Sequence, residues 1–243
     1  MVYGLQYHAI ADAITLTLAV PAICAQLLQE QKADMALLPV GALPSQSSVS
    51  ILPDYCIGAN ERVETVCILS RVPLHNVQNL YLDPDSRTSV LLARILLAEY
   101  WDLYPQLRPL SPHFLDFGGG LNDAVLLIGD KVFEYRSRYE YSYDLALAWH
   151  NWTNLPMVFA VWTSVKPFDD GFTALFNDAM QYGFAHIPEA LHEYRLPSFI
   201  TETNALDYLT HRIDYRFDAA KHQALELYLQ KVKRLPDLSP TQV

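Results

Sequence analysis

Apolar and polar positions change period several times along this chain, and each change marks a predicted element. Residues 13–20 alternate, with Ile14, Leu16 and Leu18 on one face and Thr15 and Thr17 on the other, which predicts a strand. Pro21 then suits the first turn of a helix, where its missing N–H costs nothing. That helix is expected to reach about Lys32, with Ile23, Leu27, Leu28 and Gln31 on neighbouring turns. Residues 35–40 form a continuous apolar run, as in a strand buried on both faces. The three pieces read as a β-α-β unit with a right-handed crossover.

Residues 39–53, rich in Pro and Ser, read as a loop, and residues 55–59 as a short apolar segment. Residues 63–70 are a strong strand candidate, and residues 80–82 a shorter one that breaks at Asp83-Pro84. Ser86 opens an apolar helical stretch over residues 90–101. Residues 124–128 form a buried strand ending in Gly129-Asp130, residues 143–152 a helix, and residues 156–164 a further strand. The remainder reads as helical over residues 171–183, 187–194, 203–209 and 218–235, the last carrying His222, Leu225, Leu229 and Val232 at helical spacing.

Alternating strands and helices predict an α/β fold with a mostly parallel sheet. One β-rich block precedes Ser70 and another follows Leu80, which suggests two lobes. Residues 63–70 and 157–164 are the best candidates for strands crossing between them, and a cleft between lobes is a favoured place for a ligand.

Composition narrows the function. The chain has 243 residues, 51% of them hydrophobic and 18% charged, enough for a sizeable core. A net charge of −10 argues against a nucleic-acid surface, yet leaves room for an anionic small ligand held by local donors. No apolar run is long enough for a membrane helix, and the first residues show no export signal. The three cysteines, Cys24, Cys56 and Cys67, lack metal-ligand spacing; reduced thiols in a cytoplasmic protein are the expectation. The eight histidines show no metal-binding spacing.

The richest local chemistry lies at residues 83–90. Ser86, Thr88 and Ser89 supply three hydroxyls and Arg87 a guanidinium on the first turn of a helix. Serine at this position caps free helix N–H groups, and those same N–H groups, with the positive end of the helix dipole, form an anion site. A capped helix with Arg87 in solvent, or braced against Asp83 or Asp85, is the competing reading. Gly58, Ala59 and Asn60 precede a possible hinge strand, where Gly58 would allow close approach of a ligand or simply a tight turn. Gly129 and Asp130 end a buried strand, where α/β proteins commonly place ligands, although Asp130 could equally cap the next helix. Asp144, Trp149 and Thr153 lie near the return crossing, with Trp149 expected in the core. Gly118-Gly119-Gly120 lacks the Lys-Ser/Thr of a phosphate loop and reads as a flexible connection.

Taken in order, Asp34-Met-Ala-Leu-Leu-Pro-Val40, Asp54-Tyr-Cys-Ile-Gly-Ala-Asn60, Val63 to Pro73, Tyr81 to Val90, Ile128-Gly-Asp130, Tyr143-Asp-Leu145 and Leu155 to Trp162 resemble the chorismate dehydratase family of the futalosine route to menaquinone. The resemblance implies a two-lobed fold like the type II periplasmic binding proteins, with lobe 1 formed by residues 1–72 plus 158–243 and lobe 2 by residues 73–157. It implies a carbon-oxygen lyase that takes chorismate, a dianion, to 3-[(1-carboxyvinyl)oxy]benzoate and water, with no metal or organic cofactor. Ser86, Arg87, Thr88 and Ser89 match the family's Ser-Arg-Thr-Ser turn, with Ser86 and Thr88 as expected carboxylate ligands and Ser86 as the expected catalytic group. Gly58, Ala59, Asn60, Gly129 and Asp130 complete the expected substrate site.

One departure accompanies the resemblance. The family opens on a strand and turn of the type Ser-Tyr-Leu-Asn-x-x-Pro-Phe, and Met1 stands where its closing Phe would be. The expectation is that this strand and its Asn are absent from these residues and that neighbouring strands lack a ladder partner. Two alternatives stay open: a non-catalytic anion-binding module of the same fold, and the related naphthoate synthase of the same pathway.

Overall fold

A computed structural model describes residues 1–46 and 49–236. Ser47 and Ser48, inside the loop expected over residues 39–53, lie outside the described residues, as does the tail 237–243. Two sheets organise the molecule. The first holds β1 (Met35–Pro39), β2 (Ser50–Ala59), β8 (Met157–Ser164) and β9 (Asp214–Arg216) in the order β1-β8-β2-β9. The second holds β3 (Val66–Ser70), β4 (Asn79–Leu82), β5 (Gln106–Pro109), β6 (Asp123–Ile128) and β7 (Tyr141–Asp144) in the order β5-β4-β6-β3-β7.

The expected α/β class holds, but the mostly parallel sheet does not. All pairs in the first sheet are antiparallel. In the second, β4 runs parallel to β5 and β6, whereas β3 runs antiparallel to β6 and β7. The parallel pairs follow from helical crossovers: α3 (Arg87–Glu99) joins β4 to β5, and α4 (Pro112–Phe117) joins β5 to β6. Strands β3 and β7 carry the chain into and out of this sheet, which sets their opposite direction.

The expected strand over residues 13–20 is absent. The chain there is extended between a 3-10 turn, Ala9–Ala13, and α2 (Pro21–Gln29), with no ladder partner among the described residues. Leu18 and Val20 are each 64% exposed, so alternation without a neighbour to pair with leaves the segment outside any sheet. The β-α-β unit therefore does not form. Strand β1 is an edge strand whose Ala36 and Leu38 are buried under Leu28 of α2, and its other residues are half-buried rather than covered on both faces.

The loop expected over residues 39–53 divides into a 3-10 turn, Val40–Ser45, and the start of β2. Its Pro53 lies where the β2–β8 register shifts between Ile51 and Cys56, the kind of irregularity that tolerates proline in a strand. Strand β3 starts three residues later than expected and is buried along its whole length between β6 and β7. Strands β7 and β9 were not read from the sequence. Residues 141–144 precede α6 (Leu145–Thr153) directly, and β9 is short.

The C-terminal part is helical as expected: α7 (Asp170–Ala185), α8 (Ile187–Glu193), α9 (Glu202–Asp207) with a following π turn, Tyr208–Arg212, and α10 (Ala219–Val232). Near the start, α1 (Val2–Tyr7) packs on α7, where Gly4 meets the Ala179 carbonyl and leaves no room for a side chain. Strands β3 and β8 each belong to one sheet, so the passages between sheets are shorter than expected: residues 60–65 and residues 154–156.

The largest buried cluster runs through both sheets, from Val40, Cys56 and Val161 to Ile68, Leu80, Leu92 and Leu126. Trp149 is fully buried there and donates its indole N–H to the Pro156 carbonyl at 3.0 Å, which confirms it as core. The three cysteines are free; burial pushes the Cys56 and Cys67 thiols up to about 12 and leaves them protonated. Of the histidines, His8 and His150 each bury an Nδ1 atom without a hydrogen-bond partner.

The halves meet most tightly where the Val40–Ser45 turn touches the first turn of α3. A Cβ on Gly41 would stand 2.8 Å from the Thr88 amide nitrogen and 2.9 Å from the Thr88 Cα. Both are backbone atoms that cannot swing away. Gly41→Ala should therefore destabilise the protein by about 1–3 kcal/mol through overpacking, read as a lower urea midpoint; an unchanged midpoint would show that this contact is looser than its geometry.

Candidate functional site

The site is built on the ends of two parallel strands. Strands β4 and β6 lie side by side, Leu82 facing Leu126, and their C-terminal ends release the loop Asp83–Ser86 and the turn Gly129-Asp130. Open α/β sheets bind ligands at such carboxyl edges. The structure thus brings two of the three expected clusters together.

Ser86 is the N-cap of α3. Its hydroxyl accepts from the Ser89 amide at 3.1 Å and donates to the Ser89 hydroxyl at 2.8 Å. The side chain is half-buried, Ser89 is fully buried and Arg87 is exposed. The amides of Arg87 and Thr88 have no acceptor within the helix, as at any helix start. Thr88 faces the other half: its hydroxyl accepts from the Gly41 amide at 3.0 Å and donates to the Phe159 carbonyl at 3.3 Å, with 2% exposure. Tyr228 of α10 donates to the Thr88 carbonyl at 3.1 Å. The Thr88 hydroxyl is therefore engaged inside the protein. Arg87 reaches Ser45 at 3.4 Å and makes no contact with Asp83 or Asp85.

Lys131, on α5 (Asp130–Tyr135), braces the loop in place of Arg87. Its ammonium lies 2.9 and 3.0 Å from the two oxygens of Asp83, which is fully buried, and 2.6 Å from Asp85. Asp83 also accepts from the Asp85 amide at 3.1 Å. Burial lowers the proton affinity of Lys131, but hydrogen bonds to Asp85 and Asp83 outweigh it and leave its pKa above the ordinary lysine value. The sequence shows Lys131 only as the residue after Gly129-Asp130; its partners are 46 and 48 positions away.

Gly129 takes φ 60°, a conformation glycine adopts without strain, and its amide donates to Thr65 at 2.8 Å. A Cβ there would meet nothing within 4 Å, so the turn borders open space. Asp130 is exposed in the first turn of α5 and makes no side-chain cap to it. Thr65, in the passage between sheets, shares a hydrogen bond of 2.7 Å with Tyr208, whose burial pushes its phenol up to about 12. Neither residue was singled out from the sequence, because a lone Thr and a lone Tyr carry no spacing signal.

The third cluster is occupied by structural partners. A Cβ on Gly58 would meet the Met157 carbonyl at 2.8 Å and the Lys221 stem at 3.2 Å. Ala59 is buried in β2 opposite Met157. Asn60 donates to Asp214 at 2.6 Å, and Asp214 lies 3.1 Å from the fully buried Lys221. Burial alone would raise the Asp214 pKa; donation from the Arg216 amide, Lys221 and Asn60 outweighs it and holds the carboxyl below its ordinary value.

Near the return crossing, Asp144 caps α6 by accepting from the Leu147 amide, and accepts from the Val63 and Glu64 amides at 3.1 and 2.6 Å. Its burial raises its pKa, only partly offset by these amides and by Arg62. Thr153 donates to the Trp149 carbonyl. The Gly118–Gly120 run is held by Arg71 on the Gly119 carbonyl and by Asp123 on the Gly120 amide.

Two sheet-centred halves joined by short passages, with a helix N-terminus presented at the seam, place the chain in the periplasmic-binding-protein-like fold class. The fold matches an Archaeoglobus fulgidus crystal structure with a TM-score of 0.67 at 14% identity, over 95% of this chain and 92% of that one. It also matches a conserved Candida albicans gene product described as having the generic periplasmic binding protein fold, with a TM-score of 0.62 at 11% identity, over 99% and 88% of the two chains. Within that class, a family model described as menaquinone biosynthesis matches residues 1–234, and the chain belongs to that family. A chorismate dehydratase of Thermus thermophilus is 29% identical over 168 residues, 59% of this chain and 59% of the relative's length. Among the described residues no helix is long and apolar enough to cross a membrane.

Removing the Lys131 charge leaves Asp83 buried without a cation. Lys131→Met should cost roughly 2 kcal/mol, below the range of about 3–5 for a fully buried broken pair because Lys131 is itself partly exposed. A lysine pKa raised by folding contributes stability that is complete below the unfolded value and is lost as pH rises through the folded one. The gap between wild type and Lys131→Met should therefore hold at neutral pH and shrink above the ordinary lysine value of 10.5. Urea unfolding of both proteins from pH 7 upward measures this; a gap that widened with pH would contradict the pairing.

Proposed function

We propose that this chain dehydrates chorismate to 3-[(1-carboxyvinyl)oxy]benzoate and water. Membership of the menaquinone biosynthesis family and likeness to a chorismate dehydratase support the reading. The observation that carries it to a site is the hydroxyl-and-amide N-terminus of α3, set beside the open space over Gly129.

In this reading the ring carboxylate of the substrate sits at Ser86, with the amides of Arg87 and Thr88 and the Ser86–Ser89 hydroxyl pair as donors. Thr88 takes part through its backbone, since its hydroxyl holds the two halves together. Arg87 adds positive charge at the rim, and Gly129 and Asp130 form the opposite border. Gly58, Ala59 and Asn60 act on this site only through the passage that follows them.

The reaction needs little from the protein beyond this grip. The C–H bond at the carbon bearing the enolpyruvyl ether breaks, and its electrons spread through the adjacent double bond into the ring carboxylate. Hydroxide then leaves the neighbouring carbon, a ring double bond forms, and the released proton and hydroxide make water. Donors aimed at the carboxylate stabilise that developing charge. The substrate's own side-chain carboxylate serves as the base.

Incubating the purified protein with chorismate and separating the products by chromatography tests the proposal. The expected outcome is the aromatic product in stoichiometric yield. Ser86→Ala should lower kcat/KM at least tenfold, about 1.4 kcal/mol for one charge-assisted hydrogen bond, beside a loss of about 1 kcal/mol in stability from the missing cap. Saturable chorismate binding without product would instead establish a binding module. Undiminished turnover in Ser86→Ala would remove that residue from the site.

A further inference from the structure

We propose that a second ligand site lies away from Ser86, in the cavity between the outer edge of β7, the C-terminal end of α3 and the 60–65 passage, and that it takes a small aromatic carboxylate. The cavity has a volume of about 200 Å³, room for a single ring with its carboxylate but small for a larger ligand. None of the residues nominated for the proposed reaction lines it. Strands β6 and β3 separate β7 from β4, so a ligand here is distinct from one at the α3 N-terminus. The inference stands independently of the dehydration proposed above.

The charge pattern argues for an anion. Arg62 and Arg136 both line the cavity, and neither makes a hydrogen bond or ion pair with any described residue. The carboxylates that share the cavity are already engaged. Glu64 lies 3.3 Å from Arg212, and Asp144 accepts from the amides of Val63, Glu64 and Leu147. Elsewhere Lys131, Lys221 and Lys231 each have a carboxylate partner. Asp144 acts on Arg62 only through space, so two guanidinium groups at one concavity keep their N–H donors free of hydrogen bonds and match a carboxylate, which arginine can bind through two parallel N–H bonds.

The walls argue for a ring. Trp101 and Tyr143 meet edge to face, their centroids 6.4 Å apart at 71°, and both line the cavity. Such rings present flat faces and edges to an aromatic guest. Ser142 and Asn151 add neutral donors at the rim. A guest held here also touches Arg62 and Glu64, in the passage that joins the two sheets, so its occupancy bears directly on that connection.

Titration calorimetry of the full chain with 3-hydroxybenzoate tests the site, with acetate as the ringless control. A saturable site is expected that weakens about tenfold in Arg62→Gln and in Arg136→Gln and persists unchanged in Ser86→Ala, whether or not the α3 N-terminus takes up a second equivalent. Both arginines are exposed, so the variants should keep the wild-type melting temperature, and circular dichroism confirms folding in each. Absence of saturation at millimolar concentrations would overturn the proposal. So would affinity lost in Ser86→Ala but kept in both arginine variants, which would place the ligand at the seam. Acetate binding as tightly as 3-hydroxybenzoate would overturn the aromatic class.

Discussion

A single threonine hydroxyl governs how the two sheets of this protein face one another. The Thr88 hydroxyl accepts a hydrogen bond from the Gly41 amide and donates one to the Phe159 carbonyl, and the Thr88 carbonyl accepts one from the Tyr228 phenol. Gly41 and Thr88 are both buried, so losing these partners would strand polar groups away from water, at about 1–3 kcal/mol each. The contact is possible only because position 41 lacks a side chain. It fixes the axis of α3 against the opposite half, and with it the direction in which Ser86 and the first-turn amides point.

That arrangement divides labour within one turn of helix. Thr88 is turned inward and serves the fold, while Ser86, half-buried, stands at the outer side with Arg87 exposed next to it. Four consecutive polar residues are therefore not four equivalent ligands. Lys131 fixes the other side of the turn by holding Asp83 and Asp85, so the loop that delivers Ser86 is tied at both ends: to β6 and α5 through an ion pair, and to the Val40–Ser45 turn through Thr88. A cap held in this way is preorganised, which is the property an anion site needs if binding is not to be weakened by the entropy of ordering it.

The parts of this structure that were legible in the sequence are those with local signals. Ser86 preceding an apolar run predicts the cap of α3, and the apolar blocks at residues 124–128 and 157–164 correspond to β6 and β8. Where pairing decides, local pattern failed. Residues 14–20 alternate as a strand should, yet they form none, since a strand exists only with a neighbour. Strand β9 is the reverse case: three residues that become a strand through Tyr55 and Gly58 of β2. The site shows the same limit. Ser86 and Gly129 were readable because caps and strand ends have spacing rules, whereas Lys131, Thr65 and Tyr208 acquire their roles from partners far along the chain. Gly58 and Asn60 were readable as a constrained spot, but the constraint is the buried Lys221 and Asp214.

An acidic protein proposed to take an acidic ligand faces an apparent electrostatic conflict, and the distribution of its cations resolves it. Net charge acts at long range and is screened within about 10 Å in ordinary salt, whereas the affinity of a carboxylate is set by donors in contact with it. The more buried cations neutralise carboxylates of the chain itself: Lys131 with Asp83, Lys221 with Asp214, Lys231 with Glu99, Arg212 with Glu64. At the α3 N-terminus the donors are chiefly amides and hydroxyls, which carry no net charge and need no counter-ion when the site is empty. Such a site can admit and release an anion without leaving an unpaired buried charge in either state. The resting protein thus keeps its electrostatic balance, and the helix dipole and hydroxyls offer an anion attraction only at short range.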